Sequence, residues 1–223
     1  MEINQSNSTA YAARLKIDYP QKLDRLTSFF RLFWIIPIAI IFALISGAGE
    51  TVTNTIILDQ AGQVVERTSE TAGGLANGLV IATALMILFR QLYPRWWFDF
   101  QRELVRFGAR VGAYFALLID QYPSTFEEQS VHLEIDYPDV KADLNRWMPL
   151  FKWFLAIPHY VVLSCLGVAA IFALIWAWFA ILLTGQYPRP PFDFIVGVFR
   201  WGLRVNAYAF LLVTDRYPPF SLD

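Results

Sequence analysis

The chain has 223 residues, of which 56% are hydrophobic, 17% are aromatic and 17% are charged, and its net charge is −1. This composition excludes intrinsic disorder, which requires low hydrophobicity, and it disfavours a soluble enzyme, because soluble domains carry about 25% charged residues. The small net charge provides no positive field for nucleic acid, and a single cysteine, Cys165, excludes an intrachain disulfide and a metal site built on several thiolates.

The first half of the chain predicts a strand, two apolar helices and an amphipathic helix, in that order. Residues 14–19 alternate between apolar and polar side chains, as in a short strand. The apolar runs at about 29–46 and 75–93 are each long enough for a membrane span, which needs about 20 residues. The insertion between them, 47–74, contains two β-rich runs that predict a β-hairpin. At 95–119, charged and apolar side chains separate at helical spacing, which predicts an amphipathic helix in the membrane interface.

The second half predicts the same order of elements. Residues 131–137 form a second alternating strand, able to pair with the first strand or to cover the amphipathic helices. As one helix, the apolar block that follows would be about 52 Å long. We therefore expect two shorter spans, at about 151–166 and 168–185, joined by a turn at residues 165–167. A second amphipathic helix is expected at 192–213.

The two halves share one pattern of motifs, which predicts a tandem repeat. Ile17-Asp18-Tyr19-Pro20 recurs as Ile135-Asp136-Tyr137-Pro138, Phe98-Asp99-Phe100 recurs as Phe192-Asp193-Phe194, and Arg106 and Arg110 recur as Arg200 and Arg204. We assign residues 1–126 to the first repeat and residues 127–223 to the second repeat. A pseudo-two-fold axis along the membrane normal should relate two repeats of the same orientation.

The distribution of charge predicts the orientation in the membrane. The insertion carries one basic residue, Arg67, against four carboxylates, whereas the other basic residues lie near the termini or beside the amphipathic helices. By the positive-inside rule both termini are cytoplasmic and the insertion is extracytoplasmic. The sequence thus predicts an all-α integral membrane protein with four transmembrane helices in two hairpins, two interfacial amphipathic helices, and a small β-hairpin in the extracytoplasmic loop.

The candidate binding residues lie on the two amphipathic helices. Arginine forks suit phosphate oxygens, so one hypothesis is a pair of lipid-headgroup sites, and the other is internal pairing between or within the repeats. The residues concerned are Arg106, Arg110, Arg200, Arg204, Asp99 and Asp193. Three tryptophans are candidate anchors at the membrane interface: Trp96, Trp97 and Trp201.

No catalytic residues, metal ligands or cofactor are expected, because the sequence has no P-loop, no dinucleotide-binding glycines, no zinc-protease motif and no nucleophile near a histidine. His159 lies inside the apolar block, where an ionisable residue is a functional candidate. Its counterpart in the first repeat is Ile38, so the repeated architecture does not need a histidine there. We expect His159 to be paired inside the fold or to reach the interface.

The paired Ile-Asp-Tyr-Pro motifs, the Phe-Asp-Phe segments and the Arg-x-x-x-Arg pattern resemble the bacterial membrane family known as domain of unknown function 4389. The resemblance covers both repeats, as two tandem copies. It implies a multi-pass protein of the bacterial inner membrane, and it carries over no catalytic or binding residues.

These observations favour a non-catalytic membrane protein that acts as an accessory or scaffold subunit, with membrane lipids and either other integral membrane subunits or further copies of itself as partners. The alternative is a lipid-binding or membrane-shaping protein that uses short hairpins and basic amphipathic helices. A small transporter or channel is disfavoured, because the predicted spans carry almost no polar residues.

Overall fold

A computed structural model describes residues 11–46, 51–58, 64–72, 75–125 and 127–223. The described part of the chain is mostly helical, with two small antiparallel sheets. The elements in chain order are β1 (Ala13–Ile17), α1 (Arg25–Ser46), β2 (Thr51–Leu58), β3 (Val64–Ala72), α2 (Leu75–Leu85) with a π-helical turn (Met86–Arg90), α3 (Arg95–Phe115), β4 (Val131–Ile135), α4 (Val140–Asp143), α5 (Pro149–Leu155), α6 (Ile157–Thr184) and α7 (Arg189–Ala209).

The two predicted alternating strands pair with each other, which confirms one of the two arrangements expected for them. β1 and β4 are antiparallel, and Leu15 lies opposite Leu133 at the centre of the ribbon. Alternate side chains of both strands are buried, because successive residues of a strand point to opposite faces. Leu15 and Leu133 are counterparts in the two predicted repeats, and their antiparallel pairing places a local two-fold axis between them.

The predicted β-hairpin in the insertion is confirmed. β2 and β3 pair antiparallel, with Thr51 opposite Ala72. Residues 59–63, where we expected the turn, lie outside the described residues.

Each repeat begins its apolar region with a bend or a break next to a proline. α1 bends by 51° between Arg25–Arg31 and Phe33–Leu44, and Pro37 lies inside this helix. Proline has no N–H and its ring collides with the carbonyl four residues earlier, which for Pro37 is the carbonyl of Phe33, directly after the bend. In the second repeat, α5 ends and α6 begins at Ala156, two residues before Pro158, the counterpart of Pro37.

The turn expected at residues 165–167 is wrong, because α6 continues through these residues. Ser164, the polar residue beside the expected turn, donates to the Tyr160 carbonyl one helical turn earlier, and the surrounding apolar side chains give the backbone no other partner, so its N–H and C=O groups remain in the helix. α6 also packs one face against the rest of the fold, and the buried or partly buried residues on that face recur every three or four positions. They are His159, Leu163, Leu166, Ala170, Ala173, Ala177 and Ile181.

Within the described residues, α6 is the one helix long and apolar enough to cross a membrane, and the bent α1 is a second candidate if it counts as one span. The apolar segment Gly78–Arg90 is shorter. The structure therefore does not support the four spans that we expected.

The elements form three layers. The β1–β4 ribbon packs on α3 and α7, because β4 contacts α3 and β1 contacts α7. α1 contacts α3, and α6 contacts α7. Both predicted amphipathic helices are confirmed as helices, and each is followed by a leucine with a left-handed backbone, Leu117 at φ 62° and Leu212 at φ 59°, which no helix of L-residues continues through.

Candidate functional site

The arginines predicted to bind lipid phosphate make hydrogen bonds inside the protein. Arg106 donates to the Leu133 carbonyl at 3.3 Å, and its counterpart Arg200 donates to the Leu15 carbonyl at 3.2 Å. Each arginine therefore contacts the strand that belongs to the other repeat. Arg106 also pairs with Glu103 at 2.6 Å.

The second arginine of each pair fixes the segment that follows its own helix. Arg110 donates to the Ser124 carbonyl. Its counterpart Arg204 donates to the carbonyls of Ser221 and Asp223. Because these guanidinium groups already bond internal oxygens, the pairing hypothesis fits the geometry better than the lipid-headgroup hypothesis.

The two candidate aspartates differ in their surroundings. Asp99 pairs with Arg102 at 3.1 Å, one helical turn away, and not with Arg106 as its spacing also allowed. Asp193 is exposed near the start of α7, just after its first turn. The structure thus does not bring these two residues together with the four arginines into one site.

Of the three candidate anchors, Trp96 alone is strongly exposed, at 69%. Trp97 is half-buried and donates to the Thr83 hydroxyl at 2.8 Å. Trp201 is 5% exposed, so its assignment as an interfacial anchor is wrong. Its indole N–H donates to Nδ1 of His159 at 3.0 Å, which holds the ring inside the fold.

His159 is a core residue packed among aromatic rings. It is fully buried, its ring stacks on Phe220 with centroids 4.0 Å apart, and Tyr217 lies 4.8 Å away. The bond from Trp201 satisfies one of its two nitrogens, which fits the expectation that His159 is paired inside the fold.

Each repeat also buries one cation against one carboxylate, and the sequence comparison missed both pairs. Arg31 is 3% exposed and pairs with Asp120. Its counterpart Lys152 is 1% exposed and pairs with Asp215 at 2.7 Å, and it also donates to the Thr214 carbonyl at 2.8 Å. In the sequence, a basic residue and an aspartate recur at matching positions of the two predicted repeats, and this recurrence could have indicated both pairs.

Tyrosines join the two repeats in the same reciprocal way. Tyr19 of the first repeat donates to the Tyr187 carbonyl, and Tyr137 of the second repeat donates to the Tyr93 carbonyl. These four tyrosines all precede prolines, which lack an N–H and end the regular elements. These Tyr-Pro dipeptides therefore separate consecutive elements and also connect the two predicted repeats through hydrogen bonds.

Two ionisable groups near the β1–β4 ribbon have shifted pKa values. A hydrogen bond from His132 lowers the pKa of Asp18 from its ordinary value, and Nε2 of the imidazole lies 2.9 Å from the carboxylate. Burial raises the pKa of Tyr11, whose hydroxyl donates to the Arg216 carbonyl at 3.0 Å. Tyr11 therefore stays protonated at neutral pH as a structural donor.

A cavity of about 620 Å³ lies between α3 and α7, within the range of about 300–1,000 Å³ that is typical of ligand sites. Its lining consists of counterparts from the two repeats. The pairs are Leu15 and Leu133, Phe42 and Leu163, Leu104 and Val198, Val105 and Phe199, Gly108 and Gly202, Ala109 and Leu203, and Gly112 and Asn206. The cavity therefore lies between the two predicted repeats, and each of them contributes half of its lining residues.

One lining residue is polar. Asn206 replaces its counterpart Gly112, and its Oδ1 atom is buried with no hydrogen-bond partner. A buried carbonyl oxygen without a partner is unfavourable, and because this atom has almost no accessible surface, it does not face the open part of the cavity. The sequence motifs gave no indication of the cavity, because it depends on how α3 and α7 approach each other.

The described residues contain no group of three or more His, Cys, Asp or Glu side chains that could hold a metal ion. Residues 146–221 match the family model described as "Domain of unknown function (DUF4389)". The expected resemblance is thus confirmed over this part of the second repeat, and a second copy in the first repeat stays a prediction. No curated protein and no solved structure matches the chain.

Proposed function

We propose that this chain is a non-catalytic integral membrane protein that acts as an accessory or scaffold subunit, in a complex or as a homo-oligomer. In this proposal it is a multi-pass protein of the bacterial inner membrane, built from two copies of one unit, with both termini cytoplasmic. The observation that carries the proposal is the exposed apolar surface of α1, α6 and the end of α2.

This surface is far larger than a soluble protein presents to water. Phe33 and Leu44 of α1 are 70% and 76% exposed, and Phe172 and Leu183 of α6 are 69% and 78% exposed. Only 11% of the most apolar stretch of α6 is buried inside the protein, although this helix packs on α7 along one face. Lipid or the apolar helices of another subunit would remove this surface from water.

The charged groups support the same arrangement. Arg106 and Arg200 bond internal carbonyls. The two most buried cations of the described residues, Arg31 and Lys152, are paired with carboxylates. Few charges are left on the apolar helices, so this side of the molecule is suited to a hydrocarbon environment. The basic residues outside the insertion support a cytoplasmic position for the termini.

We expect Cys165 to be shielded from water in intact membranes. It is the only cysteine of the chain and is exposed in the apolar helix α6, of which it is the ninth residue. A charged, membrane-impermeant maleimide should therefore label it at least tenfold more slowly in intact or broken membranes than after SDS solubilisation, as gel-shift assays would measure.

The matched control places a cysteine at Thr125, an exposed loop residue, in a Cys165→Ala background. This cysteine should react at the same rate in broken membranes and in SDS. Fast labelling of Cys165 in broken membranes would exclude the proposed position of α6 in lipid.

The scaffold role predicts a stable assembly. Purification in a mild detergent should yield a particle larger than one 25.6 kDa chain with its micelle, and mass spectrometry should identify either a defined partner or a homo-oligomer. A lone monomer at low detergent concentration, from cells that express the chain at its natural level, would contradict the scaffold role.

A lipid-binding role is the second candidate, and the cavity between α3 and α7 is the observation that favours it. The membrane-shaping form of that hypothesis relied on short hairpins and basic amphipathic helices, and α6 is one long helix rather than a short hairpin. It has less support, because Arg106, Arg110, Arg200 and Arg204 make internal bonds.

A further inference from the structure

We propose that a pocket beside Arg106 and Arg110 on α3 binds one phosphate group, which belongs either to the headgroup of an anionic lipid or to free inorganic phosphate. In the second predicted repeat, the protein's own chain fills the corresponding place. The inference goes beyond the scaffold role and does not depend on it, since binding of free phosphate requires no membrane.

The lining of this pocket is polar and rich in hydrogen-bond donors. The pocket has a volume of about 240 Å³ and is lined by Glu103, Arg106, Phe107, Arg110 and Thr125. The two guanidinium groups and the threonine hydroxyl supply N–H and O–H donors. The lining therefore differs from that of the apolar cavity between α3 and α7, and it suits an oxyanion.

Arg110 is a buried cation that bonds only a neutral group among the described residues. It is 7% exposed, and its Nη1 atom donates to the Ser124 carbonyl. Its Nε atom is enclosed without a partner, whereas Nη2 is neither enclosed nor bonded and is left to face the pocket. Burial lowers the pKa of Arg110, and the charge of Arg106 adds to this effect. A buried charge without an opposite charge is unfavourable, so a bound anion would stabilise Arg110.

The carboxylate in the lining does not neutralise Arg110, because it is already paired. Glu103 lies 2.6 Å from Arg106 and 3.2 Å from Arg102, and Asp99 also pairs with Arg102. Along this stretch of α3, three arginines are thus matched by two carboxylates, which leaves one positive charge. A phosphate group would balance that charge, and it accepts paired hydrogen bonds from a guanidinium group.

In the second predicted repeat, oxygen atoms of the chain occupy the place that corresponds to the pocket. The counterparts of Arg106 and Arg110 are Arg200 and Arg204. These two arginines donate to three successive carbonyl groups, those of residues 221–223. The carboxylate of the last of these residues also interacts electrostatically with Arg204. The same pair of arginines therefore binds several oxygen atoms, with a negative charge close by, where the chain supplies them.

A difference at one position explains why the first predicted repeat has a pocket here. Gly197, the counterpart of Glu103, gives Leu222 room to lie against α7, since a Cβ atom at Gly197 would lie only 2.8 Å from Cβ of Leu222. In the first repeat the Glu103 side chain stands at this position. The segment after α3 supplies Arg110 with a single carbonyl, that of Ser124, so the remaining donors are available to an external ligand.

Donors on two segments of the chain favour phosphate over a carboxylate. Arg106 and Arg110 lie on α3, and Thr125 lies in the loop that follows. A carboxylate has two oxygens in one plane, whereas a phosphate group has at least three acceptor oxygens in tetrahedral directions. Phosphate can therefore accept hydrogen bonds from all three side chains at once.

The test measures binding of radiolabelled inorganic phosphate and of radiolabelled dihexanoyl phosphatidic acid, a short-chain anionic lipid. Equilibrium dialysis against the purified full-length chain in a mild detergent, at constant ionic strength and with empty micelles as the blank, gives both affinities. We expect saturable binding of about one phosphate group per chain. Saturable binding of neither probe would overturn the proposal.

Comparison of the two probes identifies the source of the phosphate group. An affinity for phosphatidic acid at least tenfold above that for inorganic phosphate supports a lipid headgroup as the ligand, and any smaller ratio supports free phosphate. Unlabelled dihexanoyl phosphatidylcholine has the same acyl chains and no net charge, so it should not displace either probe. Displacement by phosphatidylcholine as effective as that by phosphatidic acid would contradict recognition by charge.

Arg110→Gln should lower the affinity for the bound probe at least tenfold, because it removes the unpaired charge. The glutamine amide can still donate to the Ser124 carbonyl. Arg204→Gln is the matched control, since it makes the same change in the second repeat, where the chain already occupies the arginines, and it should bind the probe as the wild type does. Equal affinities of the two variants would refute the assignment of the pocket.

Thr125→Glu keeps the test decisive even if Arg110→Gln fails to fold, because Thr125 is exposed. Its carboxylate can pair with Arg110 and compete with phosphate, so we expect an affinity at least tenfold lower than that of Thr125→Gln, which has the same size and no charge. Equal affinities of these two variants would also overturn the proposal. Because binding is measured in detergent and the labelling of Cys165 is measured in membranes, failure of this inference and failure of the membrane location are distinguishable.

Discussion

Asp215→Asn should lower the free energy of unfolding by about 3–5 kcal/mol, because it leaves the ammonium group of Lys152 buried without an anionic partner. Lys152 is 1% exposed and lies 2.7 Å from the Asp215 carboxylate. Its other acceptor is the Thr214 carbonyl, a neutral group at 2.8 Å. Unfolding by SDS in mixed micelles, followed by tryptophan fluorescence, measures the change.

The reciprocal variant should be less harmful. Lys152→Met leaves a carboxylate that is 21% exposed and that still accepts a hydrogen bond from the Asn145 N–H. We expect a loss of about 1–2 kcal/mol, since the remaining charge keeps water and a backbone donor. The double variant Lys152→Met with Asp215→Leu should unfold close to the wild type, because an apolar pair removes both desolvation penalties.

The decisive measurement is the difference between the free energies of unfolding of Asp215→Asn and Lys152→Met. Equal losses would mean that the two partners are equally solvated, contrary to their exposures. A double variant that is no better than Asp215→Asn would mean that the ion pair has a role in the fold beyond compensating a buried charge.

Much of the fold follows from patterns that the sequence displays directly. Alternating side chains predicted β1 and β4, and helical spacing predicted α3 and α7. Recurring motifs indicated which residues occupy matching places in the two repeats. Arg106 contacts Leu133, and its counterpart Arg200 contacts Leu15, the counterpart of Leu133, so the two contacts match residue for residue. Local periodicity is informative in these elements because each has one buried and one less buried face.

The sequence failed where a residue has two physically reasonable environments. Gly167 in an apolar run fits either a turn or a helix, and the packing of the whole α6 face decided for the helix. Trp201 fits either a membrane interface or a core, and a hydrogen bond to His159 decided for the core. The cavity could not be predicted from the sequence, because it depends on the distance between α3 and α7 and not on any local pattern.

The same substitution at two glycines of α7 should have opposite effects. Gly197→Ala should destabilise the chain by about 1–3 kcal/mol through overpacking, whereas Gly202→Ala should stabilise it by up to about 1 kcal/mol, because alanine is the better helix former. The SDS unfolding assay measures both variants, and each serves as the control for the other.

The cause is the C-terminal segment, which runs back along the middle of α7. A Cβ atom at Gly197 would lie 2.8 Å from Cβ and 2.9 Å from the carbonyl oxygen of Leu222, and neither distance is tolerated. The segment cannot simply retreat, because Arg200 donates to that same carbonyl at 3.0 Å. Displacement of Leu222 would also disturb Phe220, which stacks on His159, so the fluorescence of the adjacent Trp201 should change in Gly197→Ala. Stabilisation by both alanines, with unchanged fluorescence, would show that the returning segment does not lie against α7.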